Sequence, residues 1–305
     1  RDEAFRTVTS LLPGVSVSAN ESYTIYTPPV GDADGVRTVI ERNRVEPAAP
    51  GPCTTEVCFG RELIAWRGSL SACAQHVRIG IIDTSFDVSH PALRKIRAEQ
   101  AAFFDGETAS PFDWHGTAVL SLLAGGSASG TPGLVPDATF LLAAAFRSDA
   151  AGHASTDTVR LLQALSWLDH RGVDLVNMSF TGPRDPAIAH AIAAMRKKGV
   201  VFVAAAGNLG PMAEPAYPAA YPDVIAVTAV NSDSEGYRHA NRGDYVDVAA
   251  PGVDVFTALP NAQQGYRTGT SFAVPFVTAK EMPVPRAAGI LSLWMTASFV
   301  MVKPT

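Results

Sequence analysis

From residue 77 onward, short apolar runs alternate with segments that have the 3.6-residue period of an amphipathic helix. A run that is apolar at every position predicts a strand covered on both faces, and regular alternation with helices predicts a parallel sheet. We therefore predict an α/β fold with a doubly wound, mostly parallel sheet and helices on both of its faces. The predicted strands are Val77–Asp83, Thr139–Phe146, Val173–Phe180, Val200–Ala206 and Val224–Val230.

Three helices are predicted between these strands. Gly116–Leu123 is an apolar helix that His115 opens. Ser155–His170 carries leucines on one face and begins with a serine that suits the N-cap position. Asp185–Lys198 is a helix that Gly199 stops, because a glycine readily takes the conformation that follows a helix end.

The size, charge and motifs of the chain argue against some classes of function. A chain of 305 residues with 47% hydrophobic content can form one large α/β domain and a smaller appendage. The net charge of -5 and the scattered basic residues argue against nucleic-acid binding. The first strand is not followed by Gly-x-Gly-x-x-Gly, and no Walker loop is present, which argues against nucleotide binding.

Composition divides the chain into three parts. Within residues 1–52 the sequence pattern predicts a helix over Asp2–Leu12 and a strand over Val15–Thr27, followed by a Pro/Gly-rich linker. Residues 53–279 form the main domain, which contains the strand and helix pattern from residue 77 onward, and residues 280–305 form an atypical C-terminal segment. The apolar run in that last segment is short for a membrane span, so we favour a core or surface helix over an anchor.

Polar residues gather at one edge of the predicted sheet. Asp83, Ser179 and Asn208 sit at or just past the carboxyl ends of predicted strands. His115 and Ser271 sit at predicted helix starts, which face the same edge. Ligands of doubly wound sheets bind at this edge, so the shared location is more informative than any one of the five residues.

These residue types suit nucleophilic catalysis on an ester or amide. Such catalysis needs a hydroxyl, a histidine that takes its proton, a carboxylate that orients the histidine, and donors for the oxyanion. Ser271, His115 and Asp83 supply the first three. Ser271 on its own reads as an ordinary helix cap, but its backbone N–H at a helix start also favours a developing negative charge, and Asn208 can add a second donor.

Five motifs then resemble those of the subtilisin-like serine peptidases, the subtilases. They are IIDTSFDVSHP around Asp83, HGTAVLSLLAG from His115, NMSFTG around Ser179, AAAGNLG around Asn208 and GTSFAVP around Ser271. The order Asp, His, Ser is the order of that family, and 32 residues separate Asp83 from His115 while 156 separate His115 from Ser271. The resemblance covers roughly Val77–Ala279.

The resemblance implies roles for individual residues. Ser271 is the nucleophile, His115 the general base and then acid, Asp83 the residue that orients His115, and Asn208 an oxyanion donor. An extended polypeptide substrate pairs with one edge of the site and places the side chain before the cut in a pocket with small, uncharged walls. The edge is Ser179, Phe180, Thr181 and Gly182, the pocket wall is Ala204, Ala205, Ala206 and Gly207, and the pocket base is Ala216.

The resemblance also bears on cofactors, partners and location. No cofactor is expected; calcium is the minority alternative, because no dense run of oxygen ligands is seen. Residues 1–52 are either an inhibitory propeptide remnant or an N-terminal extension. A secreted or periplasmic location is expected, although no leader is visible and the three cysteines allow either one disulfide or only thiols.

The sequence departs from the family pattern at three places. Ala118 and Phe276 stand where the family often has histidines, and Ser85 stands where glycine is usual. After Ala279 two prolines should end the serine helix early, whereas Pro275 is expected near its first turn. The alternative to an active peptidase is therefore a catalytically impaired, subtilase-like module that binds peptides.

Overall fold

The computed structural model describes residues 21–25, 55–66, 68–104, 114–126, 129–149 and 153–282. The predicted helix over Asp2–Leu12, the Pro/Gly-rich linker, Cys53 and the segment after residue 282 lie outside the described residues. Of the strand predicted over Val15–Thr27, Ser22–Ile25 is described and is a strand. The three-part division of the chain stays a prediction.

Most strands belong to one sheet. Along the chain the strands are β1 Ser22–Ile25, β2 Arg78–Asp83, β3 Arg97–Ala102, β4 Thr139–Ala144, β5 Arg147–Ser148, β6 Ala154–Asp157, β7 Leu175–Met178, β8 Val201–Ala205, β9 Val224–Val230, β10 Val248–Pro251, β11 Val255–Leu259 and β12 Gln263–Arg267. Seven of them form a sheet in the order β10-β9-β8-β7-β2-β4-β3, in which every neighbouring pair is parallel. The strand order reverses beside β2 and β7, which marks where ligands bind in such sheets.

Helices cover both faces of this sheet, so the predicted doubly wound α/β fold is confirmed. The helices are α1 Thr55–Leu63, a 3₁₀ helix Gly68–His76, α2 Trp114–Ala124, α3 Thr158–His170, α4 Pro186–Lys197 and α5 Thr270–Lys280. The core on one face contains side chains of α2 and α5, and the core on the other face contains side chains of α3 and α4. Helix α5 is buried along its length and packs across β7, β8, β9 and β10.

Strand β2 shows why the apolar runs are continuous. Ile79 and Ile81 lie in the core with α2 and α5, whereas Ile82 lies in the core with α3 and α4. Gly80 leaves room for Leu168 of α3, whose methyl groups lie 2.9 Å from the position a Cβ would take. A strand covered on both faces has no solvent side and therefore no polar alternation.

The structure corrects one predicted helix cap. Helix α3 begins at Thr158, and the carboxylate of Asp157 accepts a hydrogen bond from Arg160 N. Ser155 is not the cap, because it lies within strand β6. Helix α4 begins at Pro186, and the carboxylate of Asp185, where the predicted helix starts, caps it by accepting a hydrogen bond from Ala187 N.

Strand β3 and the β11–β12 hairpin lack the apolar pattern that predicts the other strands. Strand β3 is almost wholly exposed and reads RAEQAA, so neither continuous apolarity nor alternation marks it. Strands β11 and β12 form an antiparallel hairpin through Asn261 and Ala262, which have φ of 62° and 59°. Two successive residues with positive φ are typical of a tight hairpin turn, but alanine gives no sequence signal for one.

Candidate active site

Asp83 and His115 form a buried pair at the carboxyl edge of the sheet. Asp83 is the last residue of β2, and its carboxylate oxygens lie 2.8 Å and 3.0 Å from His115 Nδ1. Thr84 N also donates to Asp83 Oδ1, at 2.7 Å. Because a carboxylate accepts hydrogen bonds, the ring hydrogen is assigned to Nδ1, which leaves His115 Nε2 as the nitrogen that can take a proton.

His115 Nε2 is buried and has no hydrogen-bond partner among the residues that the structure describes. A buried polar atom without a partner is uncommon in a folded protein and needs a reason. A nitrogen kept free to exchange protons with a neighbouring hydroxyl provides such a reason.

The start of α2 is held against the loop that follows β2. Gly116 N donates to Thr84 Oγ1 at 2.9 Å, and Asp87 N donates to Thr117 Oγ1 at 2.9 Å. A Cβ on Gly116 would lie only 2.8 Å from the carbonyl oxygen of Thr84. Glycine after His115 therefore allows the helix to approach the loop closely enough for the Asp83–His115 hydrogen bond.

Ser271 lies in the first turn of α5 and is paired with Ser179, which follows β7. Ser271 Oγ donates to the Ser179 carbonyl oxygen at 2.9 Å, and Ser179 Oγ lies 2.9 Å from the Ser271 carbonyl oxygen. Both residues are buried. The two serines thus join the N-terminus of α5 to the carboxyl end of the sheet.

Pro275 explains the second of these hydrogen bonds and corrects a prediction. It is the sixth residue of α5, so it lies inside the helix and not near the first turn. A proline has no N–H, and the carbonyl it leaves without a helical partner is the one four residues earlier, that of Ser271. Ser179 Oγ lies 2.9 Å from this carbonyl oxygen and 2.9 Å from Asn177 Oδ1, so its one hydroxyl hydrogen is shared between the two acceptors and partly replaces the missing donor.

Asn208 follows β8 and is fixed by Thr270. Asn208 Oδ1 accepts from Thr270 N at 2.9 Å and from Thr270 Oγ1 at 3.0 Å. These two bonds set which way the amide points, and within the described part of the chain its Nδ2 has no hydrogen-bond partner. Thr270 therefore positions the predicted oxyanion donor, a role that the sequence pattern did not reveal.

The predicted pocket wall is divided between the two faces of the sheet. The side chain of Ala204 lies in the core with α3 and α4, and that of Ala205 lies in the core with α2 and α5. These two residues can line a pocket only through their backbone. Ala206 and Gly207 follow the strand and are also buried.

The predicted substrate edge and pocket base are neighbours. Gly182 N donates to the Tyr217 carbonyl oxygen at 2.7 Å, and Tyr217 N donates back to the Gly182 carbonyl oxygen at 3.0 Å. Ala216 immediately precedes Tyr217 and is buried. Thr181 exchanges backbone hydrogen bonds with Thr24 of β1, so this edge already holds a strand of the same chain.

Aromatic and cationic side chains flank His115. The Trp114 ring lies 5.6 Å from the His115 ring and stacks on Phe272, with 6.3 Å between ring centroids. The Arg267 guanidinium lies 4.6 Å from the centre of the Trp114 ring, in cation–π geometry. Burial lowers the pKa of Arg267.

The fold tolerates the three residues before position 279 that differ from the family pattern. Ala118 and Phe276 lie in the apolar core, so neither position brings a second imidazole near the site. Ser85 is absent from the residues with positive φ, so the backbone there does not require glycine. His90 is buried and hydrogen-bonded at both ring nitrogens.

The described residues bear in part on the predictions about metal binding, membrane spans and cysteines. Those residues contain no group of three or more His, Cys, Asp or Glu side chains that could hold a metal ion. Over the same ranges, no helix is long and apolar enough to cross a membrane. Cys73 is a free thiol.

Comparison with known proteins identifies the family. The model of the subtilase family matches residues 74–281. The chain is 32% identical over 215 residues to the major intracellular serine protease of Bacillus subtilis, a match that covers 67% of this chain and 66%, just under two thirds, of that relative. It is 32% identical over 234 residues to subtilisin DY of Bacillus licheniformis, covering 75% of this chain and 81% of the relative.

A solved structure gives the same result. The protease domain of PatA is 27% identical and superposes with a TM-score of 0.62 over 67% of this chain and 77% of that domain. The family motifs predicted from the sequence coincide with the carboxyl edge of the observed sheet. The chain belongs to the subtilase family.

Proposed function

We propose that the protein is a serine endopeptidase in which Ser271, His115 and Asp83 form the catalytic triad. One observation carries the proposal: a buried Asp83–His115 pair with a free Nε2 lies at the same sheet edge as a serine in the first turn of a buried helix. Family membership and the relatives named as serine proteases or subtilisins support the same activity.

The reaction begins when Ser271 Oγ attacks the carbonyl carbon of the scissile peptide bond. His115 Nε2 takes the hydroxyl proton and then gives it to the departing amine, and Asp83 holds the ring and stabilises its cationic form. The resulting ester is hydrolysed by water, which returns Ser271 to its starting state. The hydrogen bond from Ser271 Oγ to Ser179 must break in the first step.

The oxyanion would be held by two donors. The N–H of Ser271 lies in the first turn of α5, where backbone N–H groups have no helical partner and the helix dipole favours negative charge. Asn208 Nδ2 is the second donor, and Thr270 holds it in place before the substrate binds. Donors fixed in advance need little reorganisation during the reaction, which makes them effective.

The substrate is a polypeptide in extended form that pairs with the backbone of Ser179–Gly182. An apolar side chain before the cut suits the pocket bounded by the backbone after β8 and by Ala216. From the family resemblance we also propose that residues 1–52 have an inhibitory role and that the protein is located outside the cytoplasm. One relative is named as intracellular, so location does not follow from family membership.

The activity is tested with casein and a fluorophosphonate probe. Wild type should cleave casein and take up the probe, Ser271→Ala should do neither, and the exposed-serine control Ser232→Ala should behave as wild type. A folded wild type that neither cleaves nor reacts would favour the alternative of an impaired peptide-binding module. Circular dichroism of all three proteins shows whether each is folded.

A further inference from the structure

Arg267 is a half-buried cation close to the proposed catalytic residues. It is the last residue of β12, three positions before Thr270 begins α5. Its guanidinium lies 4.6 Å from the centre of the Trp114 ring, and that ring lies 5.6 Å from the ring of His115. A single aromatic ring therefore separates the guanidinium from the imidazole that exchanges protons in the proposed reaction.

No carboxylate pairs with Arg267 among the residues that the structure describes, since none of their ion pairs includes it. Its Nη1 donates to the carbonyl oxygen of the preceding Tyr266 at 2.7 Å. Its Nε is buried and has no hydrogen-bond partner within the same ranges. A cation that is removed from water without a partner destabilises a fold, so this arrangement needs a reason. A site that receives an anion from a ligand provides one.

The aromatic rings beside Arg267 hold its guanidinium in place. Trp114 stacks on Phe272 with an interplanar angle of 17°, and the Phe272 ring lies 5.4 Å from the ring of His115. A guanidinium that already lies on a fixed ring loses little freedom when it binds a ligand. Its planar fork of donors matches the two oxygens of a carboxylate, so a carboxylate is the anion that suits this place.

The residues on the two sides of the proposed cut lie over opposite faces of the sheet. The edge Ser179–Gly182, which the proposed function gives to the half before the cut, includes Phe180 of the core with α3 and α4. Trp114 and Phe272 instead pack in the core with α2 and α5. Arg267 contacts Trp114, so it lies on the side opposite to that edge.

The half of the substrate that leaves first starts at His115. In the proposed reaction His115 Nε2 gives its proton to the departing amine, which is the nitrogen of the first residue after the cut. Because the other half occupies the Phe180 side, the chain that continues from this amine runs over Trp114. An extended chain advances about 3.5 Å per residue, so the first two residues after the cut come within side-chain reach of Arg267.

We propose that Arg267 selects substrates that carry a carboxylate within the first two residues after the cut, which rests on the peptidase function proposed above. The carboxylate comes from an Asp or Glu side chain or from the C-terminus of a two-residue leaving peptide. Once bound, it also offsets the repulsion between the guanidinium and the imidazolium that forms at His115. Arg267 thus acts on the substrate as a specificity-determining residue and takes no part in proton transfer.

The test uses three matched pairs of synthetic peptides that share one half before the cut, ending in Phe. Two pairs have an amidated C-terminus and carry Glu or Gln at the first or at the second position after the cut. The third pair ends at the second position, as a free carboxylate or as an amide. Mass spectrometry of the products shows that every peptide is cut at the same bond.

Wild type should cleave the carboxylate peptide of at least one pair with a kcat/KM about tenfold higher than that of its neutral match, the effect of one charge-assisted hydrogen bond. The pair that shows the difference tells whether a side chain or a C-terminus supplies the carboxylate. Equal kcat/KM values within all three pairs would overturn the proposal.

Variants test whether Arg267 is the source of this preference. Arg267→Gln should abolish it, and Arg267→Glu should favour Lys over Gln at the same substrate position. Arg196→Gln is the matched control and should keep the preference of wild type, because Arg196 is exposed in the last turn of α4 and lies near Glu281, beyond the end of α5 that is far from Ser271. A preference that survives in Arg267→Gln, or a loss of rate by the same factor on all peptides, would contradict the proposal.

Fluorophosphonate labelling separates this inference from the peptidase function, because the probe carries no residue after the cut. A wild type that labels and cleaves but does not distinguish carboxylate from neutral peptides overturns only the role of Arg267. A folded wild type that does not label overturns the peptidase function as well.

Discussion

At the scale of single residues, three of the proposed site residues are held in place by hydrogen bonds from a neighbouring threonine or serine. Thr84 contacts the carboxylate of Asp83, and Thr270 holds the amide of Asn208. Ser179 makes two hydrogen bonds to Ser271: its carbonyl oxygen accepts from Ser271 Oγ, and its hydroxyl donates to the Ser271 carbonyl oxygen. The contacts made by Thr270 and Ser179 do not follow from the motif letters, because each joins segments far apart in sequence.

The Thr270–Asn208 contact predicts a graded loss of activity. Asn208→Ala removes one of the two proposed oxyanion donors, a change that costs about 10²–10³ in kcat in a measured subtilisin. Thr270→Val removes one of the two bonds that orient Asn208 but leaves its amide in place, so we expect a smaller loss of about 3–10-fold. The measurement is kcat on a peptide substrate, and a Thr270→Val loss equal to that of Asn208→Ala would contradict this account.

The Ser179–Ser271 contact predicts coupling with Pro275. Ser179→Ala leaves the buried Ser271 carbonyl without a donor and should destabilise the fold by about 1–3 kcal/mol. In a Pro275→Ala background the helix can supply its own N–H, so the cost of Ser179→Ala should shrink. Urea unfolding measures both costs, and Ser271→Ala in all chains prevents self-digestion. Equal costs in the two backgrounds would show that the bond does not compensate for the proline.

At the scale of elements, the site is where two helix starts meet two strand ends. Helix α2 brings His115 to the end of β2, and α5 brings Ser271 to the residue after β7. The close approach of α2 depends on Gly116.

We therefore expect Gly116→Ala to be harmful. Its new Cβ would lie 2.8 Å from the Thr84 carbonyl oxygen, so the helix must shift, at a cost of about 1–3 kcal/mol, and kcat must fall as His115 moves. Gly236→Ala is the matched control, because a Cβ there meets no atom within 4 Å and its φ is not positive. Thermal unfolding and kcat of the two variants should differ clearly; similar values would contradict the close-approach argument.

The loop after β2 and the hairpin β11–β12 meet at His90. His90 Nδ1 accepts from Ala92 N and Nε2 donates to the Gln263 carbonyl oxygen, each at 3.0 Å, which requires a neutral ring. Burial lowers the pKa of His90, so the unfolded chain binds the proton more tightly. This contribution to stability is full above the ordinary pKa of about 6.5 and is lost as the pH falls towards the folded value.

His90→Gln removes the titrating group while keeping a side-chain donor for Gln263. The gap in Tm between the parent chain and this variant, both with Ser271→Ala, should narrow as the pH is lowered from about 7.5 to about 5. A gap that stays constant or widens over this range would show that neutral His90 does not support the hairpin.

At the scale of the whole molecule, the parts that could be predicted are those with a strong local pattern. The doubly wound sheet follows from strands such as β2 that are apolar throughout, and the location of the site follows from where those strands end. Strand β3 was missed because an exposed edge strand has no apolar face to reveal it. The Ser155 cap was wrong because pairing with β1 keeps that residue in a strand.

The catalytic claim is tested most directly by locating the fluorophosphonate adduct with peptide mass spectrometry. We expect one adduct on Ser271, formed in wild type and strongly reduced in His115→Ala, because in the proposed triad His115 Nε2 activates the hydroxyl. Labelling of a different serine, or equal labelling of Ser271 without His115, would contradict the proposed triad.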